Sequence, residues 1–127
     1  MTRKEEREWI VKLLFQHSFN EINVDNLDLI FEEHKLKASD FIKTSLVSII
    51  NNINKIDTII KKHVNNKNAL AIENAILRVA INEFVIQKHV PASVSINEAV
   101  EIAKKFGNID SYKFINGVLS SIYKELI

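Results

Sequence analysis

The 127-residue chain has no cysteine, two glycines, one proline and one tryptophan. Without cysteine there are no disulfides, no thiolate nucleophile and no cysteine-ligated zinc, and a reducing compartment fits. Two glycines and one proline are too few for the many tight turns of an all-β fold. No apolar run approaches the roughly 20 residues of a membrane span. The opening, "MTRKEEREWI", is charged and lacks the apolar core of a signal peptide. A soluble, cytoplasmic protein with no membrane partner is therefore expected. Excess charge is missing too: the net value is +1, which gives little long-range pull on nucleic acid. The charge is unevenly spread, with six acids and two lysines in residues 13–40 against five lysines and one acid in residues 41–68. Any RNA binding would rest on local contacts or on a partner.

What is present favours helices. The chain is 46% apolar and rich in Ile, Leu, Lys, Glu and Asn, so an all-α fold is expected. Thr2-x-x-Glu5 reads as a capping box opening a first helix through Ile10, Leu13, Leu14 and His17, with Val11 and Phe15 widening its apolar face. Asp25 or Asn26 can cap a short second helix over Leu27, Ile30, Phe31 and His34. Ser39 or Asp40 opens a third, where Ile42, Leu46, Ile49, Ile53, Ile56 and Ile60 form a two-in-seven seam. "NNIN", Asn51 to Asn54, predicts a kink or break within it. "VNNKNA", Val64 to Ala69, is polar and aperiodic, and marks the best internal boundary. "LAIENAILRVAINEFVI" is apolar on most sides, as a central helix is. Ser95-x-x-Glu98 reads as a second capping box ahead of Ile96, Ala99, Val100 and Ala103. A last helix from Ser111 turns Ile115, Val118, Leu119, Ile122 and Leu126 inward.

Catalytic patterns are lacking. The histidines at 17, 34, 63 and 89 form no His-Glu-x-x-His pair, there is no glycine-rich phosphate loop, and no serine has a nucleophile-elbow context. The expectation is a non-enzyme with no metal site. Two features invite a binding reading. Arg3, Lys4 and Arg7 gather at a helix start, either as a mixed-charge solvated end or as an anion patch that grips phosphate. "KKFGNIDSYKFINGVL", Lys104 to Leu119, joins two helices. Here Gly107 can supply a positive φ, Asp110 can cap the next helix, and Ile109 and Phe114 have the spacing of a hydrophobic staple. The same stretch sets Phe106 and Tyr112 beside Lys104, Lys105 and Lys113, so it can be packing alone or a platform for unpaired bases.

"VSINEAVEIAKKFGNIDSYKFINGVLSSI" resembles the NusB family of transcription antitermination factors. The likeness lies in Ile96 to Glu101, Ala103-Lys104, Phe106-Gly107, Asp110-Ser111, Lys113-Phe114 and Asn116 to Leu119. "IENAILRVAINE" is similar to the family's central helix and "REWIVKLLFQHSF" to its first; residues 20 to 68 match by pattern only. The resemblance implies an all-α fold of about seven helices in two three-helix bundles within one domain, over about 1–66 and 67–127. It implies binding to boxA RNA of ribosomal RNA leader transcripts together with NusE, a small-subunit ribosomal protein. It further implies contact with the RNA polymerase elongation complex through other Nus factors, with no cofactor and no catalysis. Carried over residue by residue, the RNA surface comprises Arg3, Lys4, Arg7, Phe106, Asp110, Ser111 and Phe114. The NusE-facing surface comprises Phe15, Phe19 and Glu73. A helical protein-interaction adaptor with little RNA binding is the alternative. The RNA-guiding domain of a ribosomal RNA methyltransferase shares this fold, but a chain ending at Ile127 is expected to lack the cofactor-binding domain such an enzyme needs.

Overall fold

The structure is a computed structural model that describes residues 1–65 and 67–127; Asn66, inside the expected boundary, lies outside the described residues. The described residues form seven α-helices and no strand: α1 (Arg3–His17), α2 (Leu27–Glu33), α3 (Asp40–Asn51), α4 (Ile53–His63), α5 (Ala71–Ile81), α6 (Ala92–Phe106) and α7 (Ser111–Leu126). A 3-10 turn, Val24–Asn26, precedes α2, and a π-helical stretch, Asn82–Ile86, continues α5. No helix among the described residues is long and apolar enough to cross a membrane.

Local chemistry sets most of the boundaries. Thr2 accepts from Glu5 N at 3.1 Å and Glu5 Oε1 accepts from Thr2 N at 2.9 Å, completing the expected capping box. Ser39, rather than Asp40, caps α3 by accepting from Ile42 N. The "NNIN" break falls between α3 and α4, where Asn52 turns its amide back to Ser48 O at 2.7 Å. The 3-10 turn is capped by Asn23, while neither Asp25 nor Asn26 makes a side-chain cap for α2. With so few glycines, non-glycine residues take the left-handed positions: α2 ends with Lys35 at φ 53°. Leu36 N then reaches Phe31 O and Lys35 N reaches Glu32 O, a Schellman closure over two buried apolar side chains.

The seam of α3 and α4 is buried at Ile42, Leu46, Ile49, Ile56 and Ile60, with Ile53 only half-buried at the break. Each fully buried side chain of this size is worth roughly 1.5–3 kcal/mol relative to exposure. Helix α5 is central, touching α1, α3, α4, α6 and α7, and Ala75, Ile76, Leu77, Val79, Ala80 and Ile81 are all buried. In the π stretch Gln87 N bonds to Asn82 O at 2.8 Å, and the wider turn directs Asn82, Glu83 and Phe84 all inward. Three polar bonds, two of them buried, tie it to its neighbours. Ser48 Oγ donates to Asn82 Oδ1 (2.6 Å), Arg7 Nε donates to Glu83 Oε2 (2.8 Å), and Ser95 Oγ donates to Glu83 Oε1 (2.7 Å).

Two expectations for the later helices are corrected. Helix α6 begins directly after Pro91, whose extended backbone (ψ 141°) launches it. Ser95 is therefore a buried partner of Glu83 one turn inside the helix, not a cap. Leu126, expected to face inward, is exposed at the chain end, while Ile115, Val118, Leu119 and Ile122 are buried.

Candidate nucleic-acid and partner interface

The basic start of α1 divides into residues with different surroundings. Lys4 is exposed. Arg3 is exposed as well, but its guanidinium lies 3.9 Å over the Phe41 ring and 3.2 Å from Glu6. Glu6 in turn receives the Ser39 hydroxyl. Arg7, expected on the RNA surface, is 6% exposed and ion-paired with the buried Glu83. The reason is helical geometry: Arg7 shares the stripe of Ile10, Val11 and Leu14, which faces the core. A guanidinium on that stripe needs a buried acceptor, and the π stretch supplies one.

The corner between α6 and α7 departs from expectation in three ways. Gly107 has φ −87° and ψ −173°, not a positive φ. Glycine is required there by close approach, since a Cβ would stand 2.5 Å from Ser111 Cβ and 2.8 Å from Ala103 O. Ile109 forms no staple; it is 86% exposed. Asp110 makes no side-chain cap bond. Asn108 and Ser111 close the corner instead. Asn108 Oδ1 accepts from Asp110 N at 2.9 Å, and Ser111 Oγ accepts from Asn108 N at 3.0 Å. The Ser111 hydroxyl then donates to Glu73 Oε2 at 2.8 Å.

That last bond corrects two further site assignments. Ser111 and Glu73 are both fully buried and face each other. Glu73, at the third position of α5, also accepts from Leu70 N at 2.9 Å, which satisfies an orphan donor of the helix start. So Glu73 joins α5 to α7 and presents no exposed surface. Lys67 closes the open edge of the pair, with Nζ 3.5 Å from Glu73 Oε2 and 3.7 Å from the Phe114 ring centroid. Phe114 is half-buried beneath this ammonium.

Lys4 and Asp110 remain exposed among the residues expected to meet RNA, while Arg3, Phe106 and Phe114 are partly masked by protein contacts. The structure adds neighbours to Phe106. Lys105 Nζ lies 5.3 Å from its ring and bonds Glu8 of α1 at 2.9 Å; Lys12 Nζ lies 5.6 Å from the same ring and 4.9 Å from Trp9. Lys105, at the end of α6, thereby covers Glu8 of α1, which is buried. A sequence signal for this was present: Lys4, Glu8 and Lys12 are spaced by four.

Phe15 and Phe19 meet edge to face, with centroids 5.1 Å apart, at the far end of α1. Phe19 is 67% exposed and Phe15 is 38% exposed, an uncommon presentation for two adjacent large apolar rings. Beside them His17 Nδ1 accepts from Ile22 N at 2.8 Å and holds the turn after the helix. Burial of the imidazole, with the Arg78 charge adding to it, lowers the His17 pKa below its ordinary value, while Glu21 and Asp57 oppose this. Arg78 is itself held by Asp57 through two bonds of 2.9 and 3.0 Å.

The profile of the NusB family matches residues 4–124. The chain belongs to the NusB family. The transcription antitermination protein NusB of Fervidobacterium nodosum is 39% identical over 127 residues, covering 94% of this chain and 88% of its own. That of Chloroherpeton thalassium is 38% identical over 133 residues, covering 99% of this chain; the match spans 63% of its own length. Among solved structures, T. maritima NusB superimposes with a TM-score of 0.84 at 30% identity, over 98% of this chain and 92% of its own. A crystal structure of the antitermination factors NusB and NusE in complex with double-stranded RNA gives 0.83 at 28% identity, over 97% and 96%.

Proposed function

We propose that this chain is an RNA-binding antitermination factor. It binds boxA-type single-stranded RNA of ribosomal RNA transcripts together with NusE. Through other Nus factors it joins the RNA polymerase elongation complex in the cytoplasm. The observation that carries the reading is the NusB-family match through residues 4–124. The surface chemistry supports it. Lys12 and Lys105 stand near Phe106, a ring able to stack on an unpaired base, and the exposed Phe15–Phe19 pair suits a protein partner.

Burial of Arg7 leaves fewer cations for phosphate than the sequence offers, so the chain alone makes few phosphate contacts. Titration of boxA RNA against the chain, with and without saturating NusE, tests the reading. NusE is expected to strengthen binding, and the chain alone is expected to show a shallow salt dependence. A duplex of the same sequence provides the comparison for strand preference. No boxA binding even with NusE present would instead favour a protein-interaction adaptor.

A further inference from the structure

Helix α1 carries an exposed cation, Lys12, that no carboxylate among the described residues answers. Lys4, Glu8 and Lys12 share one face of the helix. Glu8 is answered by Lys105 at 2.9 Å, but among the described residues Lys12 makes no ion pair. Its ammonium faces two rings, Trp9 at 4.9 Å and Phe106 at 5.6 Å. Lys105, fixed by Glu8, stands 5.3 Å from the same Phe106 ring. One partly exposed ring is thus flanked by two ammonium groups from different helices, one of them held in place by an ion pair.

We propose that Lys12, Lys105, Phe106 and Trp9 form a one-nucleotide step for single-stranded RNA. A base stacks on Phe106, Lys12 and Lys105 take the flanking phosphates, and Trp9 closes the side of the step. The inference rests on the RNA-binding reading above and assigns Lys12, Lys105 and Trp9 to it. Stacking suits any base, so the step supplies affinity and position rather than sequence choice. Three residues beyond Lys12 the same side of α1 reaches Phe15, so a strand on this step passes beside the exposed aromatic pair. That proximity gives RNA and the protein partner a shared edge, a physical basis for each aiding the other.

Trp9 is the chain's one tryptophan and serves as the reporter. BoxA RNA is titrated at saturating NusE over a series of salt concentrations. The proteins are the parent, Lys12→Gln, Lys12→Arg and Lys55→Gln, with Trp9→Phe as the fluorescence blank. Lys55 is exposed on α4, so Lys55→Gln changes the net charge equally at another place. RNA is expected to change Trp9 emission in the parent. Lys12→Gln should bind roughly 3- to 10-fold more weakly, and its log–log salt slope should be shallower by about 0.7, one single-strand phosphate. Lys12→Arg should recover most of the loss, and Lys55→Gln should follow the parent. If the parent binds boxA RNA but Lys12→Gln matches it in affinity and slope, the step is overturned while the function stands. If Lys12→Gln loses affinity for NusE without RNA, the row is a protein contact and the step is again overturned. If the parent binds no boxA RNA, the functional reading falls and this step with it.

Discussion

The start of α1 and the corner before α7 are each closed by a buried carboxylate from the central helix or its π continuation, but with different donors. At α1 the carboxylate is Glu83, and its partners are the Arg7 guanidinium at 2.8 Å and the Ser95 hydroxyl at 2.7 Å. At the corner it is Glu73, and its partners are the Ser111 hydroxyl at 2.8 Å and the Leu70 amide at 2.9 Å, with Lys67 at 3.5 Å from the exposed side. The first is a desolvated ion pair spanning 76 residues of sequence; the second is a set of neutral donors with a solvated cation at its rim. Breaking one side of a buried pair leaves a charge with no water and no partner. Loss of a neutral donor leaves a carboxylate that keeps its other bonds and its cation. The start of α1 is therefore the brittle junction, and the corner is the compliant one.

Arg7→Ala is the largest test of that contrast. It strands the Glu83 carboxylate in the core and should cost about 3–5 kcal/mol of stability, read by denaturant unfolding. The second change, Glu83→Leu, made in the Arg7→Ala background, should recover part of the loss by removing the stranded charge. A loss within experimental error for Arg7→Ala would mean that the guanidinium is solvated, as a surface phosphate contact requires, and the contrast would disappear. Any RNA measurement on Arg7→Ala must be referred to the folded fraction.

How much of this was legible follows from spacing. The helix content, the Thr2 capping box, the break at "NNIN" and the central position of α5 follow from local chemistry and from periodicity. So does the burial of Arg7, had its position been weighed above its charge: Arg7, Ile10, Val11 and Leu14 run at i, i+3, i+4 and i+7. Glu73, Ile76, Ala80 and Glu83 run at i, i+3, i+7 and i+10, and Ser111 leads Ile115, Val118 and Ile122. Polar residues standing on apolar stripes are candidates for mutual burial. What no local pattern contained was the pairing itself, which depends on how α1, α6 and α7 dock on α5. The π stretch was equally hidden, because the same apolar residues suit a regular helix. Gly107 shows a further limit. Its need for glycine comes from Ser111 Cβ packing against it after a turn, not from its own φ.

The compliant junction gives a smaller effect and separates two adjacent residues. Ser111→Ala removes the hydroxyl that donates to Glu73 and accepts from Asn108 N, and should cost about 1–3 kcal/mol. Asp110→Ala removes no cap bond from an exposed residue and should fall within about 0.5 kcal/mol of the parent. Thermal or denaturant unfolding of the two variants checks the order. Equal losses would show that Asp110 caps α7 after all, and would return the corner to the simple reading of its sequence.

The smallest effect lies at the far end of α1, where the contrast extends to an acceptor that must stay neutral. His17 Nδ1 accepts from Ile22 N, so that nitrogen carries no proton and the ring is neutral with its hydrogen on Nε2. Burial, aided by Arg78, holds its folded pKa below the ordinary value of 6.5. Through this range the unfolded chain binds more protons than the folded one, so stability rises with pH. The contribution is fully present above the unfolded pKa and is lost as pH falls from there through the folded pKa. His17→Gln keeps an acceptor without titrating there. The parent should therefore lose stability relative to His17→Gln between pH 7.5 and 5.5, roughly the interval about the ordinary histidine pKa. The other three histidines are common to both proteins and cancel in the difference. Proton resonances of the His17 ring, followed over the same interval, should titrate below 6.5. Because Ile22 N anchors the turn that follows Phe19, the loss of that bond should loosen the aromatic pair before it unfolds the chain. A parent that gains stability relative to His17→Gln on acidification would reverse the sign and place a proton on Nδ1, with the turn held by some other group.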